Sequence, residues 1–236
     1  MKQRIIEAFE LEYFRDGLAR KGKLREFKNT YKKGNPEIPN INSGEMGDHL
    51  NEDINIQDNP MAYDRIKSLV NYIKGDEINI LDYGFGQGAI EAELYKTKEH
   101  VNLVGIDISQ KSVSKAKLKY KKWKFIKISP TNNFILPIDS FDYILCSEVL
   151  EHISPSITFS LLSMFRKSLK RNGFLLISIP LNEGLENMIN IGKNPNAHTR
   201  LYTPEIISKE LMITGFKIMK SEFLYAFHKY YYLKNS

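Results

Sequence analysis

The sequence predicts an α/β protein built on a doubly wound, mostly parallel sheet of seven strands, and three observations lead to this prediction. Short runs rich in Val, Ile and aromatic residues alternate with helical patterns along most of the 236 residues. A tight junction containing Gly84, Gly86 and Gly88 joins the first of these runs to the next helix. Hydrophobic residues form 42% of the chain, which is enough for a sizeable core. Alternating strands and helices favour parallel pairing, with helices on both faces of the sheet.

The predicted elements follow one another from residue 61 onward. A helix is expected over 61–74, and Gly75 is its natural stop. The predicted strands cover 78–83, 101–107, 123–128, 141–146 and 174–180, and the later predicted helices cover 87–96, 110–122, 155–170 and 204–214. An apolar and aromatic antiparallel hairpin over 216–233 completes the expected sheet.

Residues 1–60 are expected to form a separate N-terminal extension, and residues 61–236 the α/β domain. Ile5, Phe9 and Tyr13 recur with the period of an amphipathic helix. Gly, Pro, Asn and Asp dominate from residue 34 to 60, which predicts a long irregular segment. Long segments of this kind are often functional, so we expect a lid or cap on the substrate side.

Charge is spread unevenly along the chain, whose net charge is +6. Residues 1–35 contain ten Lys and Arg against five Asp and Glu, and a second basic cluster extends from Lys111 to Lys127. Such patches can attract phosphates or RNA, although a solvated lysine-rich surface is the commoner interpretation.

The sequence predicts a cytoplasmic protein with no membrane association. No apolar run reaches the ~18 residues of a membrane span. The N-terminus carries acidic residues among its apolar ones, unlike a signal peptide. Cys146 is the single cysteine, so an internal disulfide framework is excluded. The pattern gives no indication of the oligomeric state.

The junction after the first strand is the strongest candidate for a ligand site. Glycines allow positive φ and a close ligand, and the following helix directs unpaired N–H groups at the loop. Asp82 closes the first strand before Gly84, Gly86 and Gly88. Asp107 closes the second strand, where an acidic side chain can accept hydrogen bonds from both hydroxyls of a ribose. Both a dinucleotide and S-adenosylmethionine are compatible with this spacing.

Residues 136–153 decide between these two ligands. They read Leu-Pro-Ile-Asp-Ser-Phe-Asp-Tyr-Ile-Leu-Cys-Ser-Glu-Val-Leu-Glu-His-Ile. Together with Ile-Leu-Asp-Tyr-Gly-Phe-Gly-Gln-Gly at 80–88 and Val-Gly-Ile-Asp at 104–107, this stretch resembles the class I S-adenosylmethionine-dependent methyltransferases. The resemblance covers about residues 60–235. It implies a Rossmann-like fold, S-adenosylmethionine as the cofactor and methyl transfer as the reaction.

The resemblance also implies roles for individual residues. In this family the glycine loop holds the methionine end of the cofactor, so that role passes to Asp82 and the three glycines. Asp107, with Ile108 beside it, is expected at the ribose.

The adenine end of the cofactor is less well defined by the resemblance. The family usually places an acidic residue after the third strand, whereas this chain has Ile-Ser-Pro-Thr-Asn-Asn at 128–133. Ser129 and Thr131 are therefore the expected acceptors, with Asn132 as an alternative. Ser147 and Cys146 close the fourth strand at the same edge and are candidate cofactor-binding residues. We interpret the Cys146 thiol as a packing group without chemistry.

Glu148, Glu151 and His152 are spaced so that a helix would place them on one face. Two carboxylates and an imidazole predict half of a divalent-metal site, for Mg or a similar ion, and His198 is a further candidate ligand. The pattern is similar to those of metal-dependent small-RNA 3′-end methyltransferases and ubiquinone-type O-methyltransferases. A cation would help to deprotonate an acceptor hydroxyl. The alternatives are His152 as a metal-free general base, or purely structural roles.

The loop after the fifth strand is expected to cover the acceptor. Arg200 and Tyr202 are its candidate substrate-binding residues, although a surface ion pair is an equal interpretation of Arg200. We expect O-methylation of a small polar acceptor, such as a sugar, a nucleotide-linked precursor or another metabolite. An RNA methyltransferase and a non-catalytic S-adenosylmethionine-binding regulator are the alternatives.

Overall fold

The computed structural model describes residues 60–129, 134–153, 155–180, 202–224 and 228–235. The predicted N-terminal helix and lid lie outside these ranges. No helix in the described ranges combines the length and apolarity needed to cross a membrane.

Helices and strands alternate along the described part of the chain as the sequence predicts. The helices are α1 (Pro60–Asn71), α2 (Ala89–Thr97), α3 (Gln110–Lys119), α4 (Pro155–Ser168) and α5 (Pro204–Ile213). The strands are β1 (Asn79–Tyr83), β2 (Asn102–Asp107), β3 (Lys124–Lys127), β4 (Phe141–Ser147), β5 (Leu169–Pro180), β6 (Phe216–Leu224) and β7 (His228–Asn235). A short 3₁₀ turn, Leu150–His152, follows β4.

The described strands form a sheet in the order β3-β2-β1-β4-β5-β7-β6. Strands β1 to β5 pair in parallel, whereas β7 runs antiparallel to both β5 and β6. The predicted parallel α/β sheet is therefore confirmed. The connection between β6 and β7 lies outside the described residues, so the hairpin stays a prediction. Strand order reverses between β1 and β4, and sheets of this kind bind ligands at the carboxyl ends beside such a reversal.

Both faces of the sheet are buried. Ile80 and Leu81 are neighbours on β1, and each is fully buried in a different hydrophobic core. Leu94 on α2 packs in the core with Ile80, and Phe165 on α4 packs in the core with Leu81. This three-layer arrangement holds the strand ends rigidly where the site lies.

The fifth strand begins earlier than its pattern predicts, at Leu169 instead of residue 174. Asn172 has φ +68°, and a Cβ on Gly173 would lie 3.0 Å from the carbonyl oxygens of Lys170 and Phe141. The Asn-Gly pair predicts a turn, but here it forms an irregularity inside one continuous strand.

Candidate cofactor and active site

The glycine loop leaves β1 with a left-handed backbone at all three glycines. The φ angles of Gly84, Gly86 and Gly88 are +80°, +56° and +77°, which favour glycine. The N–H of Gly84 donates to the carbonyl oxygen of Ile106 at 2.7 Å, which ties the loop to β2. A Cβ on Gly84 would lie 2.5 Å from Cγ2 of Val149, so a larger residue is excluded there.

Asp107 connects the glycine loop to the start of α3. Its Oδ2 accepts from the N–H of Gly86 at 2.8 Å, and its Oδ1 accepts from the N–H of Ser109 at 2.7 Å. Ser109 in turn caps α3, because its hydroxyl accepts from the N–H of Ser112 at 3.0 Å. Each carboxylate oxygen can accept more than one hydrogen bond, so these contacts leave the group able to receive hydroxyl donors.

Asp82 and Glu91 form a buried carboxyl pair beneath this loop. Asp82 is 1% exposed and Glu91 is completely buried. Burial raises the pKa of Asp82 to about 7, the charge of Asp107 adds to that, and a hydrogen bond with Glu91 opposes it. Burial, followed by the charge of Asp82, raises the pKa of Glu91 well above its ordinary value. Sequence reasoning missed Glu91, although it stands three residues before the buried Leu94 and so faces the core.

The segment after β4 is not a continuous helix. Glu148 has φ +57°, and only Leu150–His152 forms a 3₁₀ turn. The N–H of Glu148 donates to the carbonyl oxygen of Ser178 at 3.0 Å, which prolongs the pairing with β5 through this residue. The condition under which Glu148, Glu151 and His152 would share a helical face is therefore not met.

Glu148 is held by side chains from two other elements. Oε1 accepts from the hydroxyl of Ser178 at 3.1 Å, and that hydroxyl lies 2.7 Å from the hydroxyl of Ser147. Oε2 lies 3.5 Å from a guanidinium nitrogen of Arg65 on α1. The Nε of Arg65 is buried and has no hydrogen-bond partner among the described residues. Sequence reasoning missed Arg65, since nothing local connects residue 65 to residue 148.

Glu151 is buried, whereas His152 stays partly accessible. The Glu151 side chain is 2% exposed and that of His152 is 18% exposed, and Oε1 lies 3.8 Å from Nε2. Burial raises the pKa of Glu151 well above its ordinary value, the charge of Glu148 adds to this, and Arg65 opposes it. The raised pKa favours the protonated form of Glu151, and a protonated carboxyl group is a weak metal ligand. Within the ranges that the structure describes, no group of three or more His, Cys, Asp or Glu could hold a metal ion.

The residues predicted at the adenine end and at the end of β4 differ in how far their side chains are buried. The N–H of Ile128 donates to the carbonyl oxygen of Asp107 at 3.0 Å, so the half-buried Ser129 lies at the same edge as Asp107. Ile108 is half-buried and packs against the core. Cys146 is completely buried, which raises the pKa of its thiol. Ser147 is half-buried at the end of β4.

Tyr202 belongs to the core instead of the acceptor pocket. It is completely buried, and its hydroxyl donates to Oε2 of Glu210 at 3.2 Å. The structure therefore gives it a packing role, which corrects its interpretation as a substrate-binding residue. Thr131, His198 and Arg200 lie outside the described residues.

The sheet reversal and the glycine loop together define a doubly wound protein with a candidate ligand site beside β1. A family model described as a methyltransferase domain matches residues 56–221. The chain therefore belongs to this methyltransferase family, and it is an enzyme. Family membership supports S-adenosylmethionine as the cofactor.

Individual relatives agree with this assignment. The chain is 27% identical over 208 residues to an uncharacterised protein of Methanocaldococcus jannaschii, a match that covers 86% of this chain and 80% of that protein. It is 30% identical over 116 residues to the carboxy-S-adenosyl-L-methionine synthase of Nautilia profundicola, covering 48% of this chain and 49% of the synthase. A solved methyltransferase from Aquifex aeolicus, described as dependent on S-adenosylmethionine, has the same fold. Its TM-score is 0.63 at 19% identity, over 82% of this chain and 99% of that one.

Proposed function

We propose that this enzyme transfers the methyl group of S-adenosylmethionine to an oxygen of a small polar acceptor. The observation that carries the proposal is the hydrogen bond between the glycine loop and Asp107. The N–H of Gly86 donates to Oδ2 of Asp107 at 2.8 Å. This pair lies at the sheet reversal, next to Glu148 and the accessible His152.

The residues at this edge are suited to the cofactor. Glycine at position 84 lets the loop pack closely against Val149, whose Cγ2 lies 2.5 Å from where a Cβ would stand. Asp82 presents a buried carboxyl group that can pair with the ammonium group of a methionine, and Asp107 can receive the ribose hydroxyls. When bound, the cofactor supplies a methyl group on a positively charged sulfur. The protein then aligns the acceptor with that group and removes the proton of the acceptor.

We assign the proton transfer to His152. Its side chain is partly accessible, whereas Glu151 beside it is buried and has a pKa raised well above its ordinary value. Glu148 is engaged by Arg65 and Ser178, so the described donors do not form a metal site and we derive no step through a metal. Arg65 and Arg200 are candidates to bind a phosphate or carboxylate of the acceptor.

The proposal is tested by a methyl-transfer screen with isotope-labelled S-adenosylmethionine, metabolites bearing adjacent oxygens, and RNA. Each reaction is run with and without a chelator, and mass spectrometry identifies the product. We expect an O-methylated metabolite, chelator-resistant turnover, and loss of turnover in His152→Ala with cofactor binding retained. Absence of cofactor binding would overturn the proposal. Chelator-sensitive turnover would overturn its metal-free part.

RNA is the second candidate acceptor, because lysine and aromatic side chains meet on one face. Nζ of Lys122 lies 4.6 Å from the ring centroid of Tyr95 and 5.1 Å from that of Trp123, and Tyr95 is 50% exposed. RNA binding at this face should weaken steeply with salt, and Lys122→Ala should reduce it. Binding of the cofactor with no turnover on any acceptor would favour a regulator instead.

A further inference from the structure

Two neighbouring carboxyl groups are buried beneath the glycine loop. Asp82 closes β1 and Glu91 lies in the first turn of α2, and both are at least nine-tenths buried. When both carboxyl groups are ionised, none of their four oxygens has a hydrogen-bond donor among the described residues. A Cβ on Gly88 would lie 3.9 Å from Oε2 of Glu91, so this carboxyl group sits directly under the loop.

Glu91 does not perform the usual task of a glutamate at its position. It is the third residue of α2, where glutamate commonly accepts from the N–H of the capping residue. Here the N–H of Gly88 donates to the carbonyl oxygen of Phe85 at 3.0 Å. The Glu91 carboxyl interacts with Asp82 instead, and two carboxyl groups hydrogen-bond only when one carries a proton.

The groups that act on this pair from the neighbouring elements are acidic or neutral. The charge of Asp107 on β2 raises the pKa of both carboxyl groups. The charge of Asp82 raises the pKa of Cys146 on β4, and the charge of Glu91 raises the pKa of Tyr120 after α3. No Lys or Arg of the described chain contributes to the pKa of either carboxyl. We assign the shared proton to Glu91, because burial, the charge of Asp82 and a hydrogen bond with Asp82 all raise the pKa of Glu91, whereas the hydrogen bond with Glu91 lowers that of Asp82.

We propose that Glu91 is a positioning residue of the cofactor site, which stays protonated and donates a hydrogen bond that favours the ionised form of Asp82, the form that binds the ammonium group of S-adenosylmethionine. This inference rests on the proposed function, in which Asp82 binds the cofactor. A protonated Asp82 releases its proton to solvent when the cation binds, and Glu91 keeps its own. Affinity should therefore fall as the pH drops below about 7, approaching tenfold per pH unit.

The test compares Glu91→Leu with Glu91→Gln by calorimetric titration with S-adenosylmethionine from pH 6 to pH 8.5. The glutamine amide replaces the donated hydrogen, so we expect wild-type affinity within about threefold at each pH. Leucine has no donor, so Asp82 becomes harder to ionise. We expect about tenfold weaker binding at pH 6, shrinking to nearly none at pH 8.5. The ratio to wild type removes the titration of the ligand itself.

Glu93→Leu is the matched control, because Glu93 lies on the same helix but is only half-buried. It should bind as the wild type does at every pH. A Glu91→Leu deficit that is absent or equal at every pH, or an equal deficit in Glu91→Gln, would overturn the role of Glu91 and leave the proposed function standing. A wild-type protein that binds no cofactor at any pH would overturn both.

Proton release gives a second measurement that needs no variant. Binding heats of the wild-type protein in buffers of different ionisation enthalpy report the protons released per cofactor bound. At pH 6.5 we expect release of more than half a proton, because Asp82 is then mostly protonated. No release at this pH would overturn the inference even if Glu91→Leu does not fold.

Discussion

The two halves of the site are held by different kinds of interaction. On the β1 and β2 side, main-chain N–H groups, glycine φ angles and the packing of Val149 fix the loop. On the β4 and β5 side, Arg65, Glu148 and Ser178 hold one another through their side chains. A half built from backbone tolerates few substitutions. A half built from side chains can be substituted while the fold stays the same.

The largest effect is expected in the backbone-built half, from Gly84→Ala. The new Cβ would lie 2.5 Å from Cγ2 of Val149 at φ +80°, so we expect the free energy of unfolding to fall by about 2–4 kcal/mol. Cofactor affinity should fall by about a hundredfold or more. In a Val149→Ala background the clash is removed and only the φ penalty remains, so the loss should shrink by about 1 kcal/mol. Chemical denaturation measures the loss of stability caused by Gly84→Ala in the wild-type and in the Val149→Ala background. Equal losses in the two backgrounds would contradict the packing argument.

The second effect is a pH dependence of stability that comes from Asp82. The pKa of this group is about 7 in the folded protein and about 3.9 when unfolded, so the folded state binds more protons between these values. Stability should therefore fall as the pH rises from about 4 to 7. Over this pH range the free energy of unfolding of Asp82→Asn should fall by about 2–4 kcal/mol less than that of the wild type. Denaturation curves at pH 4.5 and 7.5 measure this change in stability. An equal change in the wild type and in Asp82→Asn would refute the prediction.

Asp107→Asn should have a smaller effect on stability and a clear one on binding. Asparagine has one acceptor oxygen, so its amide NH₂ would face one of the N–H donors of Gly86 and Ser109. We expect a loss of about 1–3 kcal/mol in unfolding free energy and weaker cofactor binding. Asp76→Asn, at an exposed position, should change neither quantity. Undiminished binding in Asp107→Asn would argue against a ribose contact.

The smallest effect is expected in the side-chain-built half, from Arg65→Met. This change removes the partner of Glu148 but touches no part of the glycine loop. We expect kcat/KM for the acceptor to fall about tenfold while the Kd for the cofactor stays within about twofold. Arg65→Lys keeps the positive charge but lacks the planar guanidinium group, so its kcat/KM should lie between those of the wild type and Arg65→Met. Loss of cofactor affinity in Arg65→Met would remove the contrast between the two halves.

The glycine-loop half could be predicted from sequence because its determinants are local. Asp82 and the three glycines lie within seven residues, and their spacing alone predicts the strand, the loop and the helix. Asp107 was predicted at the right strand end. Its bond to the N–H of Gly86, however, depends on how β2 pairs with β1.

The other half depends on contacts between distant parts of the chain. Glu148, Glu151 and His152 would share a face only in a helix, but the carbonyl oxygen of Ser178, 30 residues away, accepts from the N–H of Glu148 and prolongs the strand. Arg65 reaches the same carboxylate from α1. Tyr202 was predicted in a loop, but its apolar ring packs among the core side chains and its hydroxyl finds Glu210. Local spacing carries no information on such partners.

The position of β7 in the sheet has a consequence for how the chain folds during synthesis. Strand β6 pairs only with β7 among the described strands, and β7 lies between β6 and β5. The ribosome therefore completes β6 before the strand that attaches it to the sheet exists. Until β7 emerges, one edge of β5 carries unpaired N–H and C=O groups that another chain could extend. A nascent chain stalled before residue 228 should therefore be prone to aggregation and should depend on chaperones.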